Sequence, residues 1–323
     1  MNQKLVDYLE NSFIGSYLKN PNITDITYNG KTFFYMDNIR GRKKAKLDIT
    51  QSEVSDFIRQ VANLAEKQFS YSEPYMDFSV SRYRINAVHS SIGRNGDEKV
   101  VTFCIRIASI KNKIQNDSSF IPISQIQYLK DSLKQKQSIV IAGATGSGKT
   151  ELQKYLINLL EPNTRVIVID NVQELECLRE NEDLDLTSWQ VNQKDQQRCF
   201  ESLIRNALRS NPDWLIVSES RGQEMSDTLL SVMTGHPIIT TLHAYTLEEI
   251  PHRITRMVLL ANQNQKYEDV YNDVVNHFQT YVYLTREISK DGKVHRYVSK
   301  MGQIDPKTKK IRTIFERNSY EEA

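Results

Sequence analysis

Residues 143 to 150 read GATGSGKT and combine glycines, a lysine and a hydroxyl at the spacing G-x-x-x-x-G-K-[ST]. Glycines at these positions let backbone N–H groups close around a phosphate, which side chains would otherwise keep away. The run SIVIA before the pattern is typical of a buried strand, and ELQKYLINLL after it is typical of a helix, whose N-terminus attracts anions. The pattern therefore predicts a nucleotide phosphate site, formed by Gly143, Ala144, Thr145, Gly146, Ser147, Gly148, Lys149 and Thr150.

Two residues of this loop indicate that the ligands are ATP and Mg²⁺. Lys149 is placed to reach the β- and γ-phosphates, and the Thr150 hydroxyl is placed to ligate Mg²⁺. A glycine loop with only a structural role is the alternative to nucleotide binding.

A carboxylate that could orient water follows another apolar run. The segment DWLIVSE predicts a strand that ends at Glu219, which would polarise the attacking water and join Thr150 as a metal residue, directly or through water. P-loop ATPases commonly carry an aspartate before this glutamate, whereas Ser218 stands here. A solvated carboxylate at a strand end is the alternative.

Further polar side chains follow strands that would end at the same edge. Glu174 in VIDNVQELE follows the strand RVIVID, and His243 ends the strand IITTLH. Open α/β sheets bind ligands beyond the carboxyl ends of their strands, so we expect Glu174 to be a second catalytic carboxylate and His243 to sense the γ-phosphate. Helix capping by Glu174 and burial of His243 are the alternatives. His236 lies roughly 23 Å from His243 in extended chain, too far to share one zinc ion.

The elements that must position these residues are strands alternating with helices. SIVIA, RVIVID, DWLIVSE and IITTLH are nearly continuous in apolar character, which is typical of parallel strands buried on both faces. We therefore expect an α/β domain over residues 125–323. An Asp-Gly turn signal near its end predicts added antiparallel strands at the edge.

The first part of the chain predicts a smaller α+β domain. Apolar spacing indicates a core-facing helix over residues 3–19, and ITDITYNG with TFFYMD indicates a strand pair joined by an Asn-Gly turn. Thr50 to Glu53 is a capping box that starts a helix. The polar segment before Pro122 breaks all periodicity, so we place a first domain at 1–112 and a linker at 113–124.

Composition excludes several classes of protein. The 323 residues carry a net charge of only +2, which disfavours a bulk nucleic-acid binder. Cys104, Cys177 and Cys199 are scattered, as reduced thiols are, and fit no metal or redox spacing. No signal peptide and no membrane-spanning run is recognisable, so we expect a cytoplasmic protein.

Four ordered segments resemble the Walker A, Asp box, Walker B and His box of the hexameric ATPases of bacterial type II and type IV secretion and type IV pili. They are GATGSGKT, VIDNVQEL, LIRNALRSNPDWLIVSESRGQE and TGHPIITTLHA. ITDITYNG, YMDFSVSRYRINAV and FCIRI resemble the N-terminal domain of that family, so the resemblance covers about residues 23 to 316. It implies a RecA-like P-loop domain with a mostly parallel sheet. The compact first domain is most similar to the type IV secretion (conjugation) traffic ATPases.

The resemblance also implies that nucleotide lies between the two domains and that arginines of the first domain reach its phosphates. The matching positions are Arg84 in YRINA and Arg106 in CIRI, where guanidinium groups would neutralise charge on the transferring phosphoryl group. Surface arginines on strands are the alternative. Arg205 and Arg209 in LIRNALR also match family arginines.

Three segments depart from the family pattern. Ser218 stands where the family usually has glycine, and Asp170-Asn171 replaces the Glu-Asp pair of the Asp box. GHPII is closer to the pilus motors than the GHPGS of the traffic ATPases. These differences bear on the subclass within the superfamily.

The residues and the resemblance together predict an ATP-hydrolysing motor subunit that assembles into a ring, expected to be a hexamer, on a type IV secretion or conjugation apparatus. The expected partners are inner-membrane proteins of the channel, which would hold it peripherally at the inner face of the cell membrane. Direct nucleic-acid binding is not expected. The alternatives are a pilus assembly or retraction motor, a DNA-translocating P-loop ATPase, and a non-hydrolysing nucleotide-gated scaffold.

Overall fold

The computed structural model describes residues 2–109, 114, 117–171, 174–175, 178, 181–192, 195–305 and 307–322. The chain divides into two compact units. The first comprises Met1–Ile110, Val172–Glu174 and Ile288–Val294, and the second comprises Lys111–Asn171, Leu175–Glu287 and His295–Ala323.

The first unit is built on a six-stranded antiparallel sheet of order β3-β2-β1-β8-β5-β4. Its strands are β1 (Ile23–Tyr28), β2 (Phe33–Asp37), β3 (Gly41–Lys44), β4 (Tyr75–Val80), β5 (Tyr83–Val88) and β8 (Thr102–Ile107), with a separate short pair, β6 (Arg94–Asn95) and β7 (Glu98–Lys99). Its helices are α1 (Asn2–Glu10), α2 (Gly15–Leu18) and α3 (Gln51–Leu64). The sheet confirms the predicted α+β character of this part.

The predicted capping box is present at the start of α3. Thr50 Oγ1 accepts from the backbone N–H of Glu53, and the Glu53 carboxylate accepts from the backbone N–H of Thr50. The apolar stripe of α3 then packs on the sheet in one buried cluster, which includes Val54, Ile58, Ile26, Ile85 and Ile105.

The prediction of one helix over residues 3–19 is wrong, because α1 ends at Glu10 and α2 begins at Gly15. The chain turns between them, and a Cβ on Gly15 would overlap the carbonyl oxygen of Glu10. Leu9 and Leu18 are nevertheless both fully buried. The apolar spacing thus continues across the turn, since both helices pack on one core.

The second unit contains a mostly parallel eight-stranded sheet of order β11-β10-β12-β13-β9-β14-β15-β16. Its strands are β9 (Ile139–Gly143), β10 (Arg165–Asp170), β11 (Asp185–Gln190), β12 (Trp214–Val217), β13 (Ile238–Leu242), β14 (Thr280–Ile288), β15 (Val294–Ile304) and β16 (Ile311–Glu316). Its helices are α4 (Ile123–Lys134), α5 (Lys149–Ile157), α6 (Phe200–Leu208), α7 (Glu224–Met233), α8 (Ile250–Ala261) and α9 (Tyr267–His277).

This sheet confirms the predicted α/β domain. The central strands β9, β12 and β13 are buried at every residue, as their continuous apolar runs predicted. The Asp-Gly signal corresponds to a turn at Gly292 between β14 and β15, and β15 pairs antiparallel with β16 at the edge.

Helices cover both faces of the sheet in two separate apolar layers. One layer contains Leu152 and Leu156 of α5 with Ile141, Ile216 and Ile239 of the sheet. The other contains side chains of α6, α7, α8 and α9 with the alternate strand residues, Val140, Ala142, Leu215, Val217, Ile238 and Leu242. The parity of a strand residue therefore tells which layer its side chain enters.

In the part of the chain that the structure describes, no helix is both long and apolar enough to cross a membrane.

Candidate functional site

The predicted phosphate loop lies between β9 and α5, as its sequence context required. Three of its glycines have positive φ angles, +150° at Gly143, +73° at Gly146 and +100° at Gly148. Helix α5 begins immediately afterwards at Lys149. The loop therefore presents backbone N–H groups and a helix N-terminus, which together attract a phosphate.

Gly143 is required by close packing as well as by its backbone angle. A Cβ at this position would lie 2.8 Å from Ser147 Oγ and nearer still to the carbonyl oxygen of Leu284. The Ser147 hydroxyl is itself buried and has no hydrogen-bond partner among the described residues. The loop thus holds a polar group that a ligand oxygen could satisfy.

Lys149 is almost fully buried and turns back over the loop. Its Nζ donates to the carbonyl oxygens of Gly143 at 2.9 Å and Ala144 at 3.0 Å. The same nitrogen lies 3.4 Å from Nδ1 of His243. The lysine and the histidine of two separate predicted motifs are therefore neighbours.

Glu219 lies on the other side of the imidazole. Its Oε1 is 3.2 Å from Nε2 of His243, and its Oε2 accepts from the Arg221 guanidinium at 2.7 Å. Nδ1 of His243 also contacts the carbonyl oxygen of Gly143 at 3.0 Å. The structure thus brings Lys149, His243 and Glu219 together, as their positions after parallel strands predicted.

The charges of this group affect one another. Burial raises the pKa of Glu219, but the hydrogen bond from Arg221 and the charges of His243 and Lys149 lower it, and the net pKa lies below its ordinary value. Burial and the Lys149 charge lower the pKa of His243 more than Glu219 raises it. At neutral pH the carboxyl is therefore ionised and the imidazole is neutral.

A glutamine on α5 braces the strands that carry these residues. Gln153 is fully buried, and its Nε2 donates to the carbonyl oxygens of Val217 on β12 and Ile239 on β13, both at 3.1 Å. These strands lead to Glu219 and His243, so the helix that begins with the loop lysine is tied to both. Sequence reasoning missed Gln153, because no motif marks it.

Sequence reasoning also missed two arginines of this site, Arg296 beside the loop and Arg221 beside Glu219. Arg296 Nε donates to the carbonyl oxygen of Gly146 at 2.7 Å. Burial, together with the charge of Arg286, lowers the pKa of Arg296 to about 10. Arg221 was missed too, although it stands only two residues after Glu219 in the quoted SESRGQE segment.

The acidic segment after β10 contains buried polar groups. Asp170 is 2% exposed, and its Oδ2 accepts from the backbone N–H of Leu175 at 3.1 Å. Glu174 is half-buried and groups with the first unit, while residues 172–173 lie outside the described part. Asn171 Oδ1 has no hydrogen bond within the described chain. The catalytic assignment of Glu174 stays a prediction.

Arg84 and Arg106 lie on the sheet of the first unit and face each other across β5 and β8. Each is held by a carboxylate of the same sheet. Arg84 forms an ion pair with Asp77 at 3.0 Å, and Arg106 forms one with Asp25 at 3.4 Å. Their predicted role at the phosphates therefore requires these pairs to be exchanged for phosphate oxygens.

The other arginines of the resemblance lie on or beside α6. Arg205 is exposed and forms a bidentate ion pair with Asp227 of α7, at 2.7 and 3.2 Å. Arg209 is the exposed C-cap residue of the same helix. Among the described residues, neither arginine contacts Lys149, His243 or Glu219.

The two histidines of TGHPIITTLH lie at opposite ends of β13. His236 precedes the strand, where its Nδ1 is 3.4 Å from Thr234 Oγ1, and His243 follows it. Within the described residues no cluster of His, Cys, Asp and Glu side chains is arranged to hold a metal ion. Cys104 and Cys199 are free thiols, and Cys177 lies outside the described part.

The residues present fit a nucleotide with Mg²⁺ rather than a metal held by the protein alone. Mg²⁺ keeps several waters and takes few protein oxygens besides the phosphates. Thr150 offers a hydroxyl at the start of α5, and Glu219 offers a carboxylate whose buried Oε1 contacts Nε2 of His243 at 3.2 Å. Both are hard oxygen donors of the kind Mg²⁺ prefers.

The chain is similar to known proteins over most of its length. The profile of the family described as "Type II/IV secretion system protein" matches residues 82–293. An uncharacterised protein of Bacillus anthracis is 27% identical over 294 residues, which is 88% of this chain and 65% of that protein. The chain therefore spans less than two thirds of the length of that relative.

A second relative carries a functional name. The type IV secretion system protein VirB11 of Bartonella quintana is 31% identical over 153 residues, or 46% of this chain and 41% of that protein. Among solved structures, the ATPase DotB of Legionella pneumophila superimposes with a TM-score of 0.65 at 20% identity, covering 90% of this chain and 80% of that one. At this identity the likeness establishes the fold.

Proposed function

This chain belongs to the type II/IV secretion system protein family, and we propose that it is an ATPase that acts as a motor subunit of a type IV secretion or conjugation apparatus. One observation carries the proposal. Lys149, His243 and Glu219 come from three separate segments, yet consecutive contacts of 3.4 Å and 3.2 Å join them beside the phosphate loop.

The loop binds the phosphates in this proposal. Its backbone N–H groups and the N-terminus of α5 surround an anion, and the Lys149 ammonium exchanges the carbonyl oxygens of Gly143 and Ala144 for phosphate oxygens. The burial of Lys149 strengthens this interaction, because water screens its charge weakly there.

Mg²⁺ bound with the nucleotide would neutralise the charge that develops on the phosphates. The residues that would hold it are Thr150 and Glu219, directly or through water. The named residues supply oxygen donors only, which is consistent with this ion.

Glu219 orients and polarises the attacking water. Its lowered pKa keeps it ionised at neutral pH, so that it can accept a hydrogen bond from water. His243 contacts both the carboxylate and Lys149, so a change in the position of the lysine on phosphate binding also changes the surroundings of the imidazole. We assign His243 to sensing the γ-phosphate on that basis.

Three further assignments rest on the resemblance. Glu174 assists as a second carboxylate, and Arg84 and Arg106 neutralise phosphoryl charge. The ion pairs that hold the two arginines are partly exposed, and such pairs contribute little stability, so exchanging Asp77 or Asp25 for a phosphate is energetically accessible.

The assembly belongs to the same proposal. We infer that copies of the chain form a hexameric ring, which docks on inner-membrane proteins of the channel from the cytoplasmic side. The sequence similarity to VirB11 supports the type IV secretion assignment. The mass of the purified particle with and without ATP tests the ring, and recovery of channel proteins with it from membranes tests the partner.

Two substitutions in the full chain test the catalytic assignment. Lys149→Ala should lose nucleotide binding, whereas Glu219→Gln should still bind ADP but release phosphate at least about a hundredfold more slowly. Lys136→Ala and Glu161→Gln are matched controls, because both residues are exposed and belong to the second unit. Wild-type phosphate release by Glu219→Gln would refute the assignment.

A further inference from the structure

Two buried oxygen atoms behind the phosphate loop lack hydrogen-bond partners within the described chain. They are Gln153 Oε1 and Ser218 Oγ, in side chains that are 0% and 6% exposed. An unpaired buried polar atom is destabilising, and native proteins normally satisfy such atoms with water, an ion or a ligand. Gln153 Oε1 and Ser218 Oγ lie on neighbouring elements and are therefore two acceptors that water molecules could satisfy.

The strand pattern places Ser218 in the layer of α5. Trp214 and Ile216 of β12 belong to the apolar layer that contains α5, and Ser218 has the same parity. Strand pairing continues to this residue, because its backbone N–H donates to the carbonyl oxygen of Ile169 at 3.0 Å. Its side chain therefore points toward the helix that begins at the phosphate loop.

Gln153 reaches the same layer from α5. Its amide nitrogen bonds the carbonyl oxygen of Val217, the residue immediately before Ser218. The second bond, to Ile239, fixes the amide plane and hence the direction of Oε1. Gln153 also lies one helical turn after Thr150, so the two side chains share one face of α5. Gln153 thus lies on the face of α5 that carries the hydroxyl assigned to Mg²⁺.

The chemistry of these atoms suits a hydrated Mg²⁺ ion. Mg²⁺ gives up its waters reluctantly, and the hydrogens of those waters need acceptors. A hydroxyl and an amide oxygen both accept hydrogen bonds without adding charge. The family that the sequence resembles usually has glycine at the position of Ser218, so the serine adds a neutral acceptor there.

We propose that Ser218 Oγ and Gln153 Oε1 accept hydrogen bonds from waters of the Mg²⁺ ion that accompanies the nucleotide. This inference rests on the proposed ATP-binding function and specifies its metal site. Because both acceptors are neutral, the hydrated ion is held less strongly than by a carboxylate. The side chain at residue 218 accordingly contributes to the affinity of the site for Mg²⁺.

The test compares ADP binding to the full chain in excess Mg²⁺ and in EDTA, measured by titration calorimetry. The ratio of the two affinities reports the metal contribution without any turnover. Ser218→Ala should reduce this ratio by about tenfold, the effect typical of losing an outer-shell partner, and should leave the affinity in EDTA unchanged. Ser218→Asp should increase the ratio.

Ser220→Ala is the matched control. Ser220 is buried two residues further along, but its hydroxyl contacts Thr240 Oγ1 at 3.0 Å, and Thr240 has the parity of the opposite layer. It should therefore keep the wild-type ratio. Thermal unfolding of each variant checks that the chain is folded, and Ser218→Asp gives a gain that misfolding cannot imitate.

The outcomes separate this inference from the function on which it depends. If the wild-type chain binds no ADP in either condition, the proposed function itself fails. If it binds ADP and Ser218→Ala keeps the full Mg²⁺ ratio, or Ser218→Asp does not raise it, the metal-shell role is wrong while nucleotide binding stands. A lower ratio in Ser220→Ala equal to that in Ser218→Ala would likewise overturn it.

Discussion

Nε2 of His243 lies 3.2 Å from Oε1 of Glu219, and the opposite edge of the same ring lies 3.4 Å from Nζ of Lys149. The imidazole therefore separates a buried lysine from a carboxylate. Its charge state responds to both neighbours, since Lys149 lowers the pKa of His243 and Glu219 raises it. This relationship makes the histidine a reporter of what happens at the phosphate loop.

Substitution of either neighbour should move the titration of His243 in opposite directions. Lys149→Ala removes a positive charge and should raise the pKa of His243, whereas Glu219→Gln removes a negative charge and should lower it further. Proton NMR of the imidazole C–H groups measures both shifts, and a His243→Asn spectrum identifies the resonance. Shifts in the same direction would contradict the arrangement of the three side chains.

The same group predicts loss of stability in acid. The folded-state pKa values of Glu219 and His243 both lie below their ordinary values. Each group therefore contributes stability above its unfolded-state pKa, and that contribution is lost as the pH falls. For His243 the loss should begin near pH 6.5.

Thermal unfolding between pH 7.5 and pH 5 measures this effect. The double substitution Glu219→Gln with His243→Asn removes both titrating groups, so its unfolding temperature should depend less on pH than that of the wild type. An unchanged slope would show that other groups cause the acid sensitivity.

The strands that position the site could be predicted because their signal is strong and local. β9, β12 and β13 are buried on both faces, so their apolar runs are nearly continuous and differ from the alternating pattern of half-exposed strands. The convergence of Glu219 and His243 then follows from one rule, that parallel strands end at the same edge. The capping box at Thr50 is equally local.

Other features depend on contacts that the sequence does not record. Gln153 is an ordinary helix residue until β12 and β13 supply carbonyl oxygens on either side of its amide. The break before Gly15 is hidden, because apolar residues keep their spacing on both sides of the turn. Arg296 reaches Gly146 across 150 residues of sequence, and no periodicity predicts such a contact.

Alanine substitutions at two glycines distinguish the free-energy cost of a positive φ angle from that of a steric overlap. Gly143 (φ +150°) and Gly235 (φ +93°) both have positive φ, but a Cβ meets Ser147 and Leu284 only at Gly143 and has nothing within 4 Å at Gly235. Gly235→Ala should cost about 1 kcal/mol. Gly143→Ala should cost more and abolish ADP binding, because the loop must shift.

Chemical denaturation and ADP titration measure the two effects in each variant. Equal stability losses in both variants would show that the backbone angle alone is limiting. Retained ADP binding by Gly143→Ala would show that the loop tolerates the displacement of Ser147 or Leu284.

The amide of Gln153 should stabilise the second unit. Gln153→Leu leaves the carbonyl oxygens of Val217 and Ile239 without this donor, and an unpaired buried acceptor costs about 1–3 kcal/mol. The unfolding free energy should fall by about 2 kcal/mol. Gln127→Leu is the control, because Gln127 is exposed on α4 and bonds only Asp131 in the contacts recorded for the described residues. Similar losses in both variants would argue against the brace.

Substitution of Arg106 tests whether this arginine has only a structural role or acts on the phosphates. Its ion pair with Asp25 is partly exposed, so Arg106→Ala should change the unfolding free energy by less than about 1 kcal/mol. If the guanidinium neutralises the transferring phosphoryl group, the same substitution should slow phosphate release by about a thousandfold, as loss of an arginine finger does. Arg59→Ala is the matched control, since Arg59 forms an exposed ion pair with Asp56 in the same unit. If a folded Arg106→Ala chain released phosphate at the wild-type rate, the catalytic role of Arg106 would be wrong.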